Sequence, residues 1–139
     1  MLNSNRSGPR VVAFDVANKS FVWTAPIDDD PLVEVQALDG AVYVTSPTHL
    51  YAFQAATGRS LWQAQLSFGS NVRLVGQVVY VFDWLDQRIV AYDPNSGQEL
   101  GAVQYAFPQL YFSYRSNVAQ LPEWLFVAEG RKLHAFGPP

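Results

Sequence analysis

The chain has no cysteine. That removes disulfide staples, thiolate metal sites, iron–sulfur ligation and thiol nucleophiles together, so packing and hydrogen bonds must hold the fold. It leaves the compartment open, because an exported β protein with a good core needs no disulfide. Charge is scarce as well: 9 Lys and Arg stand against 12 Asp and Glu in 139 residues, a net charge of −3. The basic residues form no run or stripe, which argues against a nucleic-acid surface. No apolar stretch approaches the roughly 20 residues of a membrane-spanning helix, so direct membrane insertion is not expected. Residues 1–10 are polar, show no apolar core of an export signal, and read as a tail. A 3.6-residue apolar stripe is missing from every window, which leaves little room for helix.

What the chain does have is apolar and aromatic bulk. Hydrophobic residues make up 49% and aromatic residues 14%, enough for a real core and unlike a disordered segment. Val, Tyr, Phe and Trp favour pleated, half-buried surfaces. These residues recur in order. Val12-Ala13-Phe14-Asp15 returns as Tyr51-Ala52-Phe53-Gln54, as Val90-Ala91-Tyr92-Asp93, and as His134-Ala135-Phe136-Gly137. The four alanines are spaced 39, 39 and 44 residues apart. Trp23 and Trp62 each follow their alanine by ten residues, and Gly101 takes that place in the third copy. A second landmark precedes the later copies as Val42-Tyr43-Val44, Val79-Tyr80-Val81 and Leu125-Phe126-Val127. A period of this length marks an array of small units, none able to bury its apolar face alone.

Turn chemistry divides each period into four strands. Asp39-Gly40 lies between two alternating apolar runs, a strong hairpin signal, and Gly76-Gln77 does the same one period later. Loops around Thr57-Gly58 and Ser96-Gly97 join the next pair, and Glu129-Gly130-Arg131 is a further turn. The predicted inner strands are 32–38, 71–76 and 112–119, and the second strands 41–46, 78–83 and 124–128. Third strands follow at 50–54, 89–93 and 132–136, then outer strands at 60–66 and 98–105, while 11–15 and 21–25 read as a third and an outer strand. Four-stranded antiparallel units of about 40 residues are propeller blades. The expected fold class is therefore all-β, about three blades' worth: a partial blade at 11–27, blades at 32–66 and 71–105, and a partial blade at 112–137.

The third-to-outer segment resembles the tryptophan-docking motif of pyrroloquinoline-quinone-type propeller repeats, roughly A-x-D-x-x-T-G-K-x-x-W. Ala52, Thr57, Gly58, Arg59 and Trp62 match it, with Gln54 in place of Asp. The first copy keeps Ala13, Asp15 and Trp23, with Asn18, Lys19 and Ser20 at the Thr-Gly-Lys positions. The third keeps Ala91, Asp93 and Gly97 and has Gly101 for Trp; the last keeps only Ala135. The resemblance spans nearly the whole chain. It implies that a small Ala leaves room for an indole, that Gly makes the tight turn, and that Trp packs across the gap between blades. It also implies a setting among bacterial exported, periplasmic scaffolds.

Propellers close with about four to eight blades, so this arc is incomplete or closed only by oligomerisation. Either it is a piece of a larger propeller, the favoured expectation, or a neighbouring copy's outer strand completes its three-stranded C-terminal end. Enzymes of the resembled family bind the quinone with Ca²⁺ on the axis of an eight-bladed ring. No stretch here matches their cofactor or metal positions, so the expectation is no enzyme, no cofactor and no metal. Asp28-Asp29-Asp30, ended by Pro31, lacks the spaced oxygens that a Ca²⁺ site takes and reads as a solvated turn. Asp83 and Asp86 around Trp84-Leu85 read alike, and the two histidines, His49 and His134, occupy different repeat positions. The expected function is a non-catalytic interaction scaffold for a protein partner or for copies of itself. Its candidate binding loops are 28–31, 83–87 and 105–114, with Asp28, Asp29, Asp30, Trp84 and Tyr111 as leading residues. The rivals are a fragment of a quinone-dependent dehydrogenase and a self-assembling structural ring.

Overall fold

Asp39 and Gly40 both adopt left-handed backbone, with φ of 50° and 79°. Two such residues in succession match the right-handed twist of the strands they join, which is why this pair sets a hairpin. The same device recurs along the chain in the computed structural model, which describes residues 8–27, 32, 34–67, 69–83, 85–104, 118–121, 124–129 and 132–136. Among these residues there is no helix, and thirteen strands form four antiparallel sheets.

The first sheet pairs β1 (Arg10–Asp15) with β2 (Ser20–Pro26). The second runs in the order β3 (Glu34–Leu38), β4 (Ala41–Thr45), β5 (His49–Gln54), β6 (Ser60–Gln65). The third repeats it with β7 (Gly69–Val75), β8 (Val78–Asp83), β9 (Arg88–Tyr92) and β10 (Glu99–Gln104). The fourth holds β11 (Val118–Leu121), β12 (Trp124–Glu129) and β13 (Lys132–Phe136). Several boundaries differ from expectation by a residue or two, and three differences are structural. Pro9 and Arg10 belong to the first sheet rather than a tail, since Arg10 pairs with Pro26 and Ile27 N–H donates to the Pro9 carbonyl at 3.0 Å. β7 starts two residues early because a register shift between Gly69 and Val72 lets the strand run back to pair Gly69 with Asp83. The inner strand expected at 112–119 is β11, whose paired residues run to Leu121; positions 112–117 lie outside the described residues.

Alternation along the middle strands of the blades buries the sheets on one another. On β5, Tyr51 and Phe53 pack with Val11, Ala25, Ile27 and Val44 against the first sheet. Leu50 and Ala52, one residue off, pack with Val72, Val79, Val81, Val90 and Tyr92 of the third. A sheet buried on both faces by its sequence neighbours is a propeller blade in its stack. Each large apolar side chain so buried contributes about 1.5–3 kcal/mol. Burial also pushes the Tyr92 phenol up to about 12.

The tryptophans tie one sheet to the next. Trp23 lies opposite Ala13 on β1–β2, next to a register shift, and Trp62 lies opposite Ala52 next to the equivalent shift. The Trp23 indole N–H donates to the Ala55 carbonyl at 2.7 Å, 32 residues on, and Trp62 donates to the Pro94 carbonyl at 2.8 Å with the same offset. Under each ring sits a glycine with left-handed backbone, Gly58 at φ 71° and Gly97 at φ 71°. A Cβ on Gly58 would stand 2.5 Å from Trp23 Cδ2, and one on Gly97 would stand 2.6 Å from Trp62 Cδ2. Glycine is required twice over, by conformation and by space. At the third tryptophan position Gly101 lies opposite Ala91, with nothing within 4 Å of where its Cβ would be.

Two glycine substitutions separate the two requirements. Gly76 has φ 60° and open space around its missing Cβ, so Gly76→Ala should cost only left-handed strain, about 1–2 kcal/mol. Gly58→Ala adds the displaced indole and should cost about 3–4 kcal/mol. Urea unfolding of the two variants checks the order; equal losses would contradict it.

Candidate interaction site

Strand directions sort the connections into two ends. The turns after β1, β3, β5, β7 and β9 share one end, and the connections after β2, β4, β6, β8 and β10 share the other. The first end is given over to building the joints. Asp15 accepts the backbone N–H groups of Ala17 and Asn18 at 2.9 and 3.0 Å, and Asp93 accepts those of Asn95 and Ser96 at 2.8 and 2.9 Å. Both carboxyls are held below the ordinary value, by the Asn18 N–H foremost for Asp15 and the Ser96 N–H foremost for Asp93. In the middle repeat Gln54 accepts the Thr57 hydroxyl at 2.7 Å instead. Gln54 and Asp93 fold the turns on which Trp23 and Trp62 rest, and Asp15 folds the corresponding turn of the first sheet, so Asp15, Thr57 and Asp93 are turn residues here.

At the other end residues 85–87 of the β8–β9 connection are exposed, whereas Ser46 and Leu66 of neighbouring connections are buried. The turn between β8 and β9 is braced from several sides. Asp83 is fully buried; its carboxylate accepts the Ser67 N–H at 3.3 Å and faces Arg88 Nη2 at 3.5 Å. Ser67 Oγ donates to Asp86 at 2.5 Å, and Gln104 Nε2 donates to the Asp86 carbonyl at 2.9 Å. Arg88 also stands 3.8 Å from Asp86 and 3.9 Å from Glu99, with Nε buried and lacking a hydrogen-bond partner. The turn is thus fixed to the β6–β7 connection and to β10. On it Leu85 is 71% exposed, a large apolar side chain on a turn held by hydrogen bonds and ion pairs.

Nearer the inner strands, Glu34 of β3 reaches across to β7. It accepts the Val72 N–H at 3.0 Å, Asn71 Nδ2 at 3.2 Å and Arg73 Nη1 at 2.6 Å. Sequence reading missed this bridge: by strand register Glu34 corresponds to Asn71 and Arg73 to Gln36, so the repeat gives no direct sign that Glu34 and Arg73 meet.

Of the candidate binding residues, Asp28, Asp29, Asp30, Trp84 and Tyr111 lie outside the described residues. His49 packs beside Tyr51 at 5.6 Å, its Nδ1 2.9 Å from Thr48 Oγ1. Among the described residues no three His, Cys, Asp or Glu side chains converge as metal ligands.

Stacked four-stranded sheets that repeat this way define an open arc of a β-propeller built from pyrroloquinoline-quinone-type repeats. The chain belongs to the PQQ_2 family, described as outer membrane protein assembly factor BamB, whose model matches residues 3–136. Among solved structures it is similar to BamB from Moraxella catarrhalis, at 19% identity and TM-score 0.67, covering 86% of this chain and 38% of that one. It is also similar to the computationally designed Ika8 protein, at 12% identity and TM-score 0.71, covering 93% of this chain and 40% of that one. A third likeness is to quinohemoprotein alcohol dehydrogenase ADHIIG from Pseudomonas putida HK5, at 19% identity and TM-score 0.57, covering 74% and 18%. The chain therefore spans two fifths or less of these proteins' lengths, and at such identities the likeness establishes the fold alone. A comparison with curated proteins gives no match.

Removing the Arg88 guanidinium tests the bracing. Arg88→Met leaves the Asp83 carboxylate buried without its cation; with Arg88 partly solvated, the loss should be about 1–2 kcal/mol rather than the full cost of breaking a buried pair. Denaturant titration checks this, and an unchanged midpoint would show that the turn does not depend on the pair.

Proposed function

We propose that this chain is a non-catalytic scaffold that holds a protein partner at the propeller end carrying the β8–β9 turn. The observation that carries the reading is Leu85, exposed on a turn fixed by Asp83, Asp86, Arg88, Ser67 and Gln104. Anchors of this kind bind at low entropic cost, because the frame is ordered beforehand. The opposite end serves the joints, with Trp23 and Trp62 acting as structural docking residues of the repeat. Membership of a family described as an assembly factor supports protein partners in general.

The second reading is a fragment of a quinone-dependent dehydrogenase, favoured by the likeness to the quinohemoprotein blades. The two separate cleanly. A photo-crosslinking residue at position 85 should give a discrete protein adduct in a bacterial host, and one at exposed position 16 on the opposite end should not. Identical adducts at both positions, or none, would remove the scaffold reading. Saturable quenching of tryptophan fluorescence by pyrroloquinoline quinone with Ca²⁺ would support the dehydrogenase fragment.

A further inference from the structure

The repeat lets the outer face of the first sheet be compared with faces that are already covered. Thirty-nine residues separate Val12 from Tyr51 and Phe14 from Phe53, and another thirty-nine lead to Val90 and Tyr92. In the second and third sheets these positions take the preceding blade and are buried: Phe53 is 4% exposed and Tyr92 3%. In the first sheet the same positions are open, with Val12 at 43% and Phe14 at 50%. Phe21, edge-on to Phe14 at 5.4 Å, and Val22 continue the patch.

The far end of the stack carries the reciprocal vacancy. Ala52 is fully buried in the cluster that holds Val90 and Tyr92 of the next sheet. Its counterpart on β13, Ala135, is exposed. One chain thus presents both halves of the blade-to-blade joint it makes internally, Ala135 at one end and Val12 with Phe14 at the other.

From this we infer that a second copy of the chain covers the β1–β2 face, its β11–β13 sheet lying there as the preceding blade. The contact is heterologous, head to tail, so two copies bury two such faces when the rotation closes the ring. Two copies together bring eight of the described sheets, within the roughly four to eight blades at which propellers close.

The new joint is of the tryptophan-free kind. Lys19 stands at the position of Gly58 and Gly97 and shares their left-handed backbone, with φ 53°. Its Cβ occupies the place where a docked indole would lie against the turn, as the Gly58 and Gly97 geometries show. No tryptophan can be received there in the manner of the internal joints, and the β11–β13 sheet has no outer strand among the described residues to donate one. Apolar contact around Val12 and Phe14 carries the joint instead. The inference goes beyond the scaffold reading, and either stands if the other fails.

Light scattering behind a sizing column, over a concentration series, should give twice the 15.5 kDa of one chain. The paired substitution Val12→Asp and Phe14→Asp should return the mass to one chain, while Val16→Asp on the exposed turn should leave it doubled. Because the double variant could misfold, the cysteine-free background offers a second readout. Phe14→Cys combined with Ala135→Cys should form an intermolecular disulfide under mild oxidation, and Val16→Cys with Ala135→Cys should not. A single-chain mass throughout the series, an oligomer indifferent to the Asp pair, or equal cross-linking of both cysteine pairs would overturn the inference.

Discussion

An indole lying on a glycine is the contact on which this architecture depends. Every sheet of the stack is too small to bury its own apolar faces, so its stability is realised only against a neighbour. Trp23 and Trp62 convert that adjacency into a fixed geometry, through ring contact with Gly58 and Gly97 and an N–H donated to a carbonyl of the next sheet. Other features serve that contact. The small Ala13 and Ala52 stand opposite the tryptophans, the register shifts lie beside them, and Gln54 and Asp93 fold the turns that receive the indoles.

Polar bridges reinforce the same joints closer to the inner strands. The Glu34 carboxylate accepts from Asn71, Val72 and Arg73 across the gap between the second and third sheets. An Arg–carboxylate contact with two further donors is satisfied geometry, and it fixes lateral register where apolar packing alone would allow sliding. Joint-building turns occupy one end, and the exposed, braced Leu85 turn stands at the other. That division of labour makes the Leu85 end the candidate interaction face.

Much of this was legible in the sequence because each repeat states the rule again. Ala13, Ala52 and Ala91, Trp23 and Trp62, and Gly58 and Gly97 occur at constant offsets, and the physics of a small residue, a flat ring and a left-handed turn reads directly from residue type. The Asp39-Gly40 hairpin was equally plain. What escaped notice depends on pairing between repeats. Glu34 and Arg73 lie on different strands and carry meaning only once the sheets are known to be neighbours. The bracing of Asp83 by Arg88 and Ser67 was hidden in the same way, since the acidic turn looked solvated while one of its carboxylates is fully buried. Lys19 looked like a lapse from the motif until its left-handed backbone showed it holding the glycine's place.

The most direct test of the account is a double-mutant cycle on Trp62→Ala and Gly97→Ala, read by urea unfolding. Each single change removes the same indole–glycine contact, so their effects must not add. With Trp62 present, Gly97→Ala should cost about 3–4 kcal/mol; once the indole is gone it should cost only the strain of a left-handed alanine, about 1–2 kcal/mol. A coupling energy near 2 kcal/mol is the predicted result. Strict additivity would contradict the account, because the glycine would then be required by its turn alone and the tryptophan would hold no joint.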